Sequence, residues 1–390
     1  MNAITNIFPH YSDDYSDEIN WNYLDTIPEI ARLKDCPQNP KCHSEGTAYD
    51  HTRLCLEKFE TEVLEYEDKV KLSQDVLMIL RVAILLHDIG KTVTTSIGKD
   101  GNYHSYGHEI EGEKIARVML WGLSIPIRER ICAIVRYHMT PLSIFDSKNW
   151  VEKMLEISTR VPWKYLYYVK KADILGSIQK GVDTKNIDLM KLDLIKQTAQ
   201  ALNIWDTMNA TINPLVKYFS NRDILPWKTN LNVPKKPIAV LMIGLPGAGK
   251  NTWIENNISQ YPDAIQLSRD DLRAELGFCL PGEKYLGTDE EEKRVTEVYD
   301  ERLNQAIKEK RNIILNNVHL RKKYRDVSVQ LLRKAGYYIE YVYVEAPSME
   351  DNFSRREGDI RPDRIRAMAL SFEWAETTEY DKLTIAKQYN

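Results

Sequence analysis

No stretch of the 390-residue sequence approaches the roughly 20 apolar residues that a membrane-spanning helix requires. The opening MNAITNIFPHYSDD lacks the basic-then-apolar layout of a signal peptide. A cytoplasmic protein with no membrane partner is therefore expected. Cysteine is scarce: Cys36, Cys42, Cys55, Cys132 and Cys279 form an odd, scattered set that suits reduced thiols better than a disulfide framework. The fragment CPQNPKCH, with Cys36, Cys42 and His43, has zinc-like residue types, yet no second ligand pair follows at finger-like spacing. Positive charge is not in excess. A formal net charge of −4 argues against a surface coated for non-specific nucleic-acid binding, so any polyanion must be met by a local patch. Internal repeats and low-complexity tracts are also lacking.

What is present describes a globular chain, with 43% hydrophobic and 28% charged residues. Its length exceeds what one core comfortably fills, so more than one domain is expected. From about Trp21 to Gly181 the apolar positions repeat with helical period, as in HTRLCLEKFETEVLEY and DVLMILRVAILLH, and strand-like alternation is nearly absent. A further helical stretch leads to punctuation at Arg222–Trp227 and to the polar, proline-bearing TNLNVPKKP, which reads as a linker. Beyond it, short apolar runs (IAVLMI, NIILNN, YYIEYVYVEAP) alternate with helical segments, the signature of a parallel sheet with crossover helices. The expected organisation is multi-domain: an all-α domain over 1–183, a helical connector and linker over 184–236, and an α/β domain over 237–390.

GLPGAGKNT follows a strand-like run and precedes a helix, the context that makes a phosphate-binding P-loop credible. Gly244, Gly247 and Gly249, with Pro246 and Ala248 between them, let backbone amides turn toward phosphate oxygens at the positive end of a helix. Lys250 would meet the outer phosphates. Asn251 departs from the pattern, standing where a Ser or Thr hydroxyl normally binds magnesium; its amide oxygen or the Thr252 hydroxyl are the available substitutes. Asn316 and Asn317 are a second departure, placed where a strand often ends in an acidic residue. The expected cofactors are ATP or another NTP with Mg2+. QLSRDDLRAEL sets Asp270 at the C-terminal edge of a short strand, where a carboxylate can take the proton of an attacking hydroxyl and Arg273 can clamp a phosphate. A capped helix start with a surface ion pair is the plainer reading of RDDLR.

In RVAILLHDIGKT, His87 and Asp88 are neighbours and cannot chelate one ion alone. His51 in AYDHTRL, His108 in SYGHEIEGE, His138 in VRYHM and Asp173 in KKADILGS supply further ligand types from separate helical segments, which points to a metal site.

Two resemblances follow from these motifs. GLPGAGKNTW, SRDDLR and NFSRREGDIRP, across about residues 237–380, resemble the P-loop polynucleotide 5′-hydroxyl kinases of bacteriophage and bacterial RNA repair. That resemblance implies Lys250 on the phosphates, Asp270 as general base, Arg273 on the acceptor's phosphate, and Arg356 as the lid arginine, with Arg355 as the alternate. CPQNPKCHSEGTAYDHT, LLHDIGKT and YGHEIEG, within about residues 25–180, resemble the HD phosphohydrolase superfamily and, more closely, the HD domains of tRNA nucleotidyltransferases. It implies that His51, His87, Asp88 and Asp173 hold one metal. Asp88 would bridge to a second held by His108 and His138, with Lys91 beside the phosphate and Mn2+, Co2+, Ni2+ or Zn2+ as the ions. The domain order resembles bifunctional HD-Pnk end-healing enzymes. RNA or DNA ends are then the implied partners, with a functional link to an RNA ligase. Basic residues of the second half (Lys322, Lys323, Arg325, Arg333, Lys334), interleaved with tyrosines, are either a nucleic-acid surface or solvated helix faces. A metabolite kinase fused to an HD nucleotidase, and a nucleotide-sensing regulator with an inactive HD domain, remain as alternatives.

Overall fold

The computed structural model describes residues 20–64, 71–180, 184–208, 236–279, 285, 287–356 and 360–387. The stretch read for a signal peptide, the Arg222–Trp227 punctuation and most of the linker lie outside the described residues, as do residues 357–359 of the lid motif. The chain divides into two compact units, one within residues 1–223 and one within 224–390.

In the first unit α1 (Ala48–Lys58) begins at Thr47, whose hydroxyl accepts the Asp50 amide while the Asp50 carboxylate accepts the Thr47 amide, 3.3 and 3.0 Å. This reciprocal cap satisfies donors that a helix end leaves open. The apolar run of α2 (Gln74–Leu86) is too continuous for a surface helix. It is buried nearly all round at the centre of the unit. A two-stranded antiparallel hairpin follows, β1 (Ser96–Ile97) with β2 (Tyr103–His104), an element the helical periodicity did not announce. Then come α3 (His108–Met119), α4 (Ile125–Tyr137), α5 (Trp150–Ser158), α6 (Trp163–Gly176) and α7 (Lys185–Ala201). Helix α7, read from sequence as connector, buries Leu192, Ile195 and Ala199 in the same core as α2 and α6.

The second unit runs β3 (Ile238–Ile243), α8 (Lys250–Asn257), β4 (Ile265–Leu267), α9 (Arg269–Glu275), α10 (Asp289–Lys308), β5 (Ile313–Leu315), α11 (Lys322–Lys334), β6 (Tyr338–Glu345), α12 (Met349–Ser354), α13 (Pro362–Leu370) and β7 (Lys382–Lys387). Its five strands are all parallel, in the order β4-β5-β3-β6-β7. Helices on a parallel sheet cover its faces, so β3 is apolar throughout and buried from Ala239 onward. From β3 the chain reaches β4 on one side and later β6 on the other. The loop after β3 therefore leaves the sheet where strand order reverses, the place where open α/β sheets bind ligands. Strand β7 was not legible in the sequence pattern. The fold class is thus a helical domain followed by an α/β P-loop domain with a parallel sheet.

Candidate active sites

In the helical unit the HD pair caps the buried helix. His87 is the C-cap of α2, and Asp88 follows in the turn before the one-turn helix Lys91–Thr94. Gly90 brings that turn against α3: a Cβ there would lie 1.9 Å from the His108 carbonyl oxygen. Gly176 does the same between α6 and α1, where a Cβ would lie 2.6 Å from Cys55 Sγ. Only residues without side chains permit such approaches. They draw His51 of α1, Asp173 of α6, His108 of α3 and His138, the C-cap of α4, around Asp88.

The resulting cluster is dense. His51 Nε2 lies 3.0 Å from Asp173 Oδ1 and 4.0 Å from Asp88 Oδ2, and His87 Nε2 lies 3.3 Å from Asp88 Oδ2. On the other side, His108 Nε2 and His138 Nε2 stand 3.4 and 3.9 Å from Asp88 Oδ1. All six residues singled out from sequence meet here, with Asp88 between two groups of ligating atoms.

Ring orientation shows what the cluster suits. Nδ1 of His87, His108 and His138 each meets the backbone carbonyl three residues earlier, at 2.7, 2.8 and 2.8 Å. A carbonyl can only accept, so each Nδ1 carries a proton and each ring turns its Nε2 inward. The His87 Nε2 is buried and makes no hydrogen bond, and the His108 and His138 Nε2 atoms face each other at 3.2 Å. Two facing ring nitrogens and one orphaned nitrogen, all buried, are costly unless a proton or cation sits among them. Burial and the neighbouring His108 and His87 hold the His138 imidazole well below its ordinary pKa, so it stays neutral. Rings anchored on one nitrogen and converging on the other fit divalent cations.

Three participants escaped the sequence reading. Glu45 accepts from Nδ1 of both His51 and His43, at 2.9 and 2.8 Å. Burial pushes its carboxyl up, but those histidines outweigh it and hold the group far below the carboxylate range. Lys170 places its ammonium 2.6 Å from Asp173 Oδ2, matching Lys91 at 2.6 Å from Asp88 Oδ2. Burial alone would raise Asp88 and Asp173. The neighbouring His87 and Lys91 around the first, and Lys170 and His51 around the second, keep both well below the usual range. Cys55 Sγ, one turn after His51, sits 3.3 Å from His51 Nε2 and completes a group with His87 and Asp173. The available signals were H-x-E before His51, K-x-x-D on one face of α6, and the i, i+4 spacing of His51 and Cys55. Among the described residues neither Cys36 nor Cys42 joins a ligand cluster. Asp88, His108, His138 and Asp173 of the cluster line a cleft of about 590 Å³ that also includes His43, Lys91, Tyr103, His104 and Tyr106.

In the α/β unit the glycine loop passes from β3 into α8. Gly247 and Gly249 have φ of +76° and +94°, the region that favours glycine. Lys250 folds back to donate to the Gly244 and Leu245 carbonyls, 3.0 and 3.1 Å. The loop is braced by the buried Asn352, which donates to the Pro246 carbonyl at 2.9 Å, a contact that sequence reasoning missed. Both lid candidates lie against the loop: Arg355 donates to the Gly247 carbonyl at 3.3 Å, and a Cβ at Gly247 would sit 3.3 Å from Arg356 Cγ.

Asn251 and Asn316 prove to be partners, with the Asn316 amide donating to Asn251 Oδ1 at 2.8 Å. The amide oxygen expected to face a cation is therefore already engaged. Asp270 opens α9 beyond the C-terminal end of β4, its carboxylate largely exposed and 2.5 Å from Arg273 Nη1. Arg273 also donates to Glu292 at 2.7 Å and lies over the Tyr285 ring, 5.0 Å from its centroid. Ser268 caps the helix through the Asp271 amide, so the cap and ion pair of the plainer reading are both present.

Comparison with known proteins agrees with this division. Residues 42–176 match the HD domain family and residues 240–363 the AAA domain family. The chain thus carries an HD domain followed by a P-loop, kinase-like domain, two domain types that imply hydrolase and nucleotide-dependent chemistry with divalent metals. It is similar to the Multifunctional CCA protein of Halorhodospira halophila, 30% identical over 115 residues, which cover 29% of this chain and 24% of that protein. The Multifunctional CCA protein of Actinobacillus pleuropneumoniae is 31% identical over 114 residues, covering 29% and 25%. The chain spans about a quarter of the length of these relatives. A chain in the solved structure of the Pnkp1/Rnl/Hen1 complex is similar over 32% of this chain and 41% of that chain, with 21% identity and a TM-score of 0.28. Among the described residues no helix is long and apolar enough to cross a membrane.

Proposed function

We propose that the protein heals both ends of a broken nucleic acid strand, RNA in the first instance. The P-loop domain phosphorylates a 5′-hydroxyl end, and the HD domain removes a 2′,3′-cyclic, 2′- or 3′-phosphate. Convergence of six imidazole and carboxylate groups around Asp88, in the same chain as a P-loop, is the observation that carries this reading.

At the HD site His51, His87 and Asp173 would hold one cation and His108 and His138 another, with Asp88 shared between them. Divalent cations bound there supply charge neutralisation at a phosphate and acidify water. Lys91 and Lys170 hold the aspartates in this structure and stand ready to pair with phosphate oxygens. At the kinase site Lys250 meets the outer phosphates, Asp270 takes the proton of the attacking 5′-hydroxyl, Arg273 orients the acceptor's phosphate, and Arg356 neutralises the transferring group. Phosphoryl transfer is chiefly positioning and charge neutralisation, which that set supplies. Where such sites usually offer magnesium a hydroxyl and a carboxylate, this chain offers the neutral Asn251–Asn316 pair, so magnesium would depend more on the nucleotide phosphates. The products, a 5′-phosphate and a free 3′-hydroxyl, are what an RNA ligase joins.

The test uses an oligoribonucleotide carrying a 5′-hydroxyl and a 2′,3′-cyclic phosphate, incubated with ATP and Mg2+ or Mn2+. Asp270→Ala should abolish 5′ labelling and retain 3′ healing, and Asp88→Ala should do the reverse. Loss of both activities in both folded variants, or phosphorylation of free nucleosides in preference to oligonucleotides, would falsify the proposal.

A further inference from the structure

One feature at the mouth of the HD cleft contributes little to folding. Tyr106 is 82% exposed, the most exposed large hydrophobic side chain among the described residues. It nevertheless has a fixed neighbour: its ring stacks on His104 with centroids 5.2 Å apart and planes within 7°. His104 is itself held from several sides. Its Nε2 meets Asp100 Oδ1 at 2.9 Å, and Asp100 is tied in turn by the Asn102 amide and side chain at 3.2 and 2.8 Å. Gly98 lies so close that a Cβ there would sit 2.5 Å from the imidazole Cδ2. The β1–β2 register, with Ser96 opposite His104, fixes the strand that carries it.

An exposed stack of two flat rings gives the fold little, because the outer face of Tyr106 buries no area. What it offers is a rigid aromatic surface. Tyr103, His104 and Tyr106 line the same cleft as Asp88, His108, His138 and the two lysines. That cleft, at about 590 Å³, has the size of a pocket for a whole small ligand, well beyond what one phosphate group fills. Gly107, at φ +75°, turns the chain directly from Tyr106 into His108, so the platform and the ligating cluster are joined by one residue.

We infer that the His104–Tyr106 stack is a nucleobase subsite, on which the base of the terminal nucleoside phosphate lies while its phosphate enters the Asp88 cluster. The inference rests on the phosphatase reading for the identity of the phosphate. Stacking on an aromatic face is open to every base, since each has a π-face, so the subsite selects nucleoside phosphates over base-free phosphates without reading sequence.

Full-length, Mn2+-loaded protein should be assayed on a nucleoside 2′-monophosphate and on glycerol 2-phosphate, which presents a secondary phosphomonoester without a base. Tyr106→Ala should lower the nucleotide-to-glycerol ratio of kcat/KM by roughly 5- to 150-fold, the range of single base stacks, mainly through KM. Tyr106→Phe, which keeps the ring, should preserve the ratio. An unchanged ratio in a folded Tyr106→Ala protein overturns the subsite. Direct binding separates this from the phosphatase reading. The fluorescence of 2-aminopurine riboside 2′-monophosphate should be quenched by the wild type and by Tyr106→Phe, and far less by Tyr106→Ala. Quenching without hydrolysis of either substrate upholds the platform and sinks the phosphatase reading; absence of quenching by the wild type sinks the platform.

Discussion

At the scale of single residues, the groups that set the chemistry are those whose hydrogen-bond capacity is already assigned. Glu45 fixes His51 by its Nδ1 and leaves Nε2 for the cluster. Outer partners of this kind typically contribute about 10- to 100-fold to metal affinity, so Glu45→Gln should weaken Mn2+ binding by that factor, read by Mn2+ titration, while 5′ kinase activity persists. Wild-type affinity in Glu45→Gln would mean that Glu45 merely fills space. In the other unit, burial, reinforced by Arg356 and opposed by Asp270, pushes Lys250 down to about 8. Phosphates placed on the ammonium raise it again, so above about pH 8 nucleotide binding takes up a proton. The sign is fixed by that order: the free protein loses the proton first, and affinity falls as pH rises through 8, by at most about tenfold per pH unit. Calorimetric titration with ATP near pH 8.5, in two buffers of different ionisation heat, should report the uptake. Identical heats would place the Lys250 titration elsewhere. The six HD-type residues were legible because imidazole and carboxylate side chains next to apolar helical runs are conspicuous. Glu45, Lys170 and Cys55 were not, because their significance depends on which turn of which helix faces them.

At the scale of elements, the spacing of the second pair of histidines depends on how α3 meets α4. Arg117 of α3 is fully buried and donates to Glu129 of α4 at 2.9–3.0 Å and to Glu113 at 2.7 Å, with Arg160 reaching Glu113 at 2.8 Å. His108 stands at the start of α3 and His138 just past the end of α4. Removing one member of a buried ion network leaves the others uncompensated, at a cost of about 3–5 kcal/mol. Arg117→Ala should therefore lower the unfolding free energy by roughly that amount and reduce Mn2+ occupancy by loosening the spacing of His108 and His138. A change below about 1 kcal/mol in chemical denaturation would show that the helices pack without it. Periodicity announced the helices, and the apolar runs announced β3, β5 and β6, since both signals survive averaging over neighbours. The hairpin β1–β2 and the edge strand β7 escaped. A two-residue strand has no period to detect, and KLTIAK alternates over only four residues, the shortest run that can signal a strand.

At the scale of the whole molecule, charge decides how a nucleic acid can be held. The basic residues of α11 that suggested a binding surface are largely spoken for: Lys322 pairs with Glu376 at 2.6 Å, Arg333 with Asp381 at 2.9 Å, and Arg325 is buried against Glu379 at 2.6 and 3.2 Å. Sequence could not distinguish this from a solvated or nucleic-acid face, because their acidic partners lie some 50 residues further along the chain. With a net charge of −4 and that face neutralised, α11 provides no long basic track for a phosphate backbone among the described residues. On the proposed function the grip is local, at Arg273 once phosphate displaces its carboxylate partners and at the lid arginines, as an enzyme acting on strand ends requires. Each phosphate contact on a single strand contributes a slope of about −0.7 in log affinity against log salt. For one to three contacts, the slope for binding a 5′-hydroxyl oligoribonucleotide should lie between about −0.7 and −2. It should change little when the strand is lengthened from a few nucleotides to about 20, since added phosphates fall outside the grip. Fluorescence anisotropy across a salt series tests this, and a slope steeper than about −4, or one that grows with strand length, would reveal an extended polyanion surface that the pairing on α11 argues against.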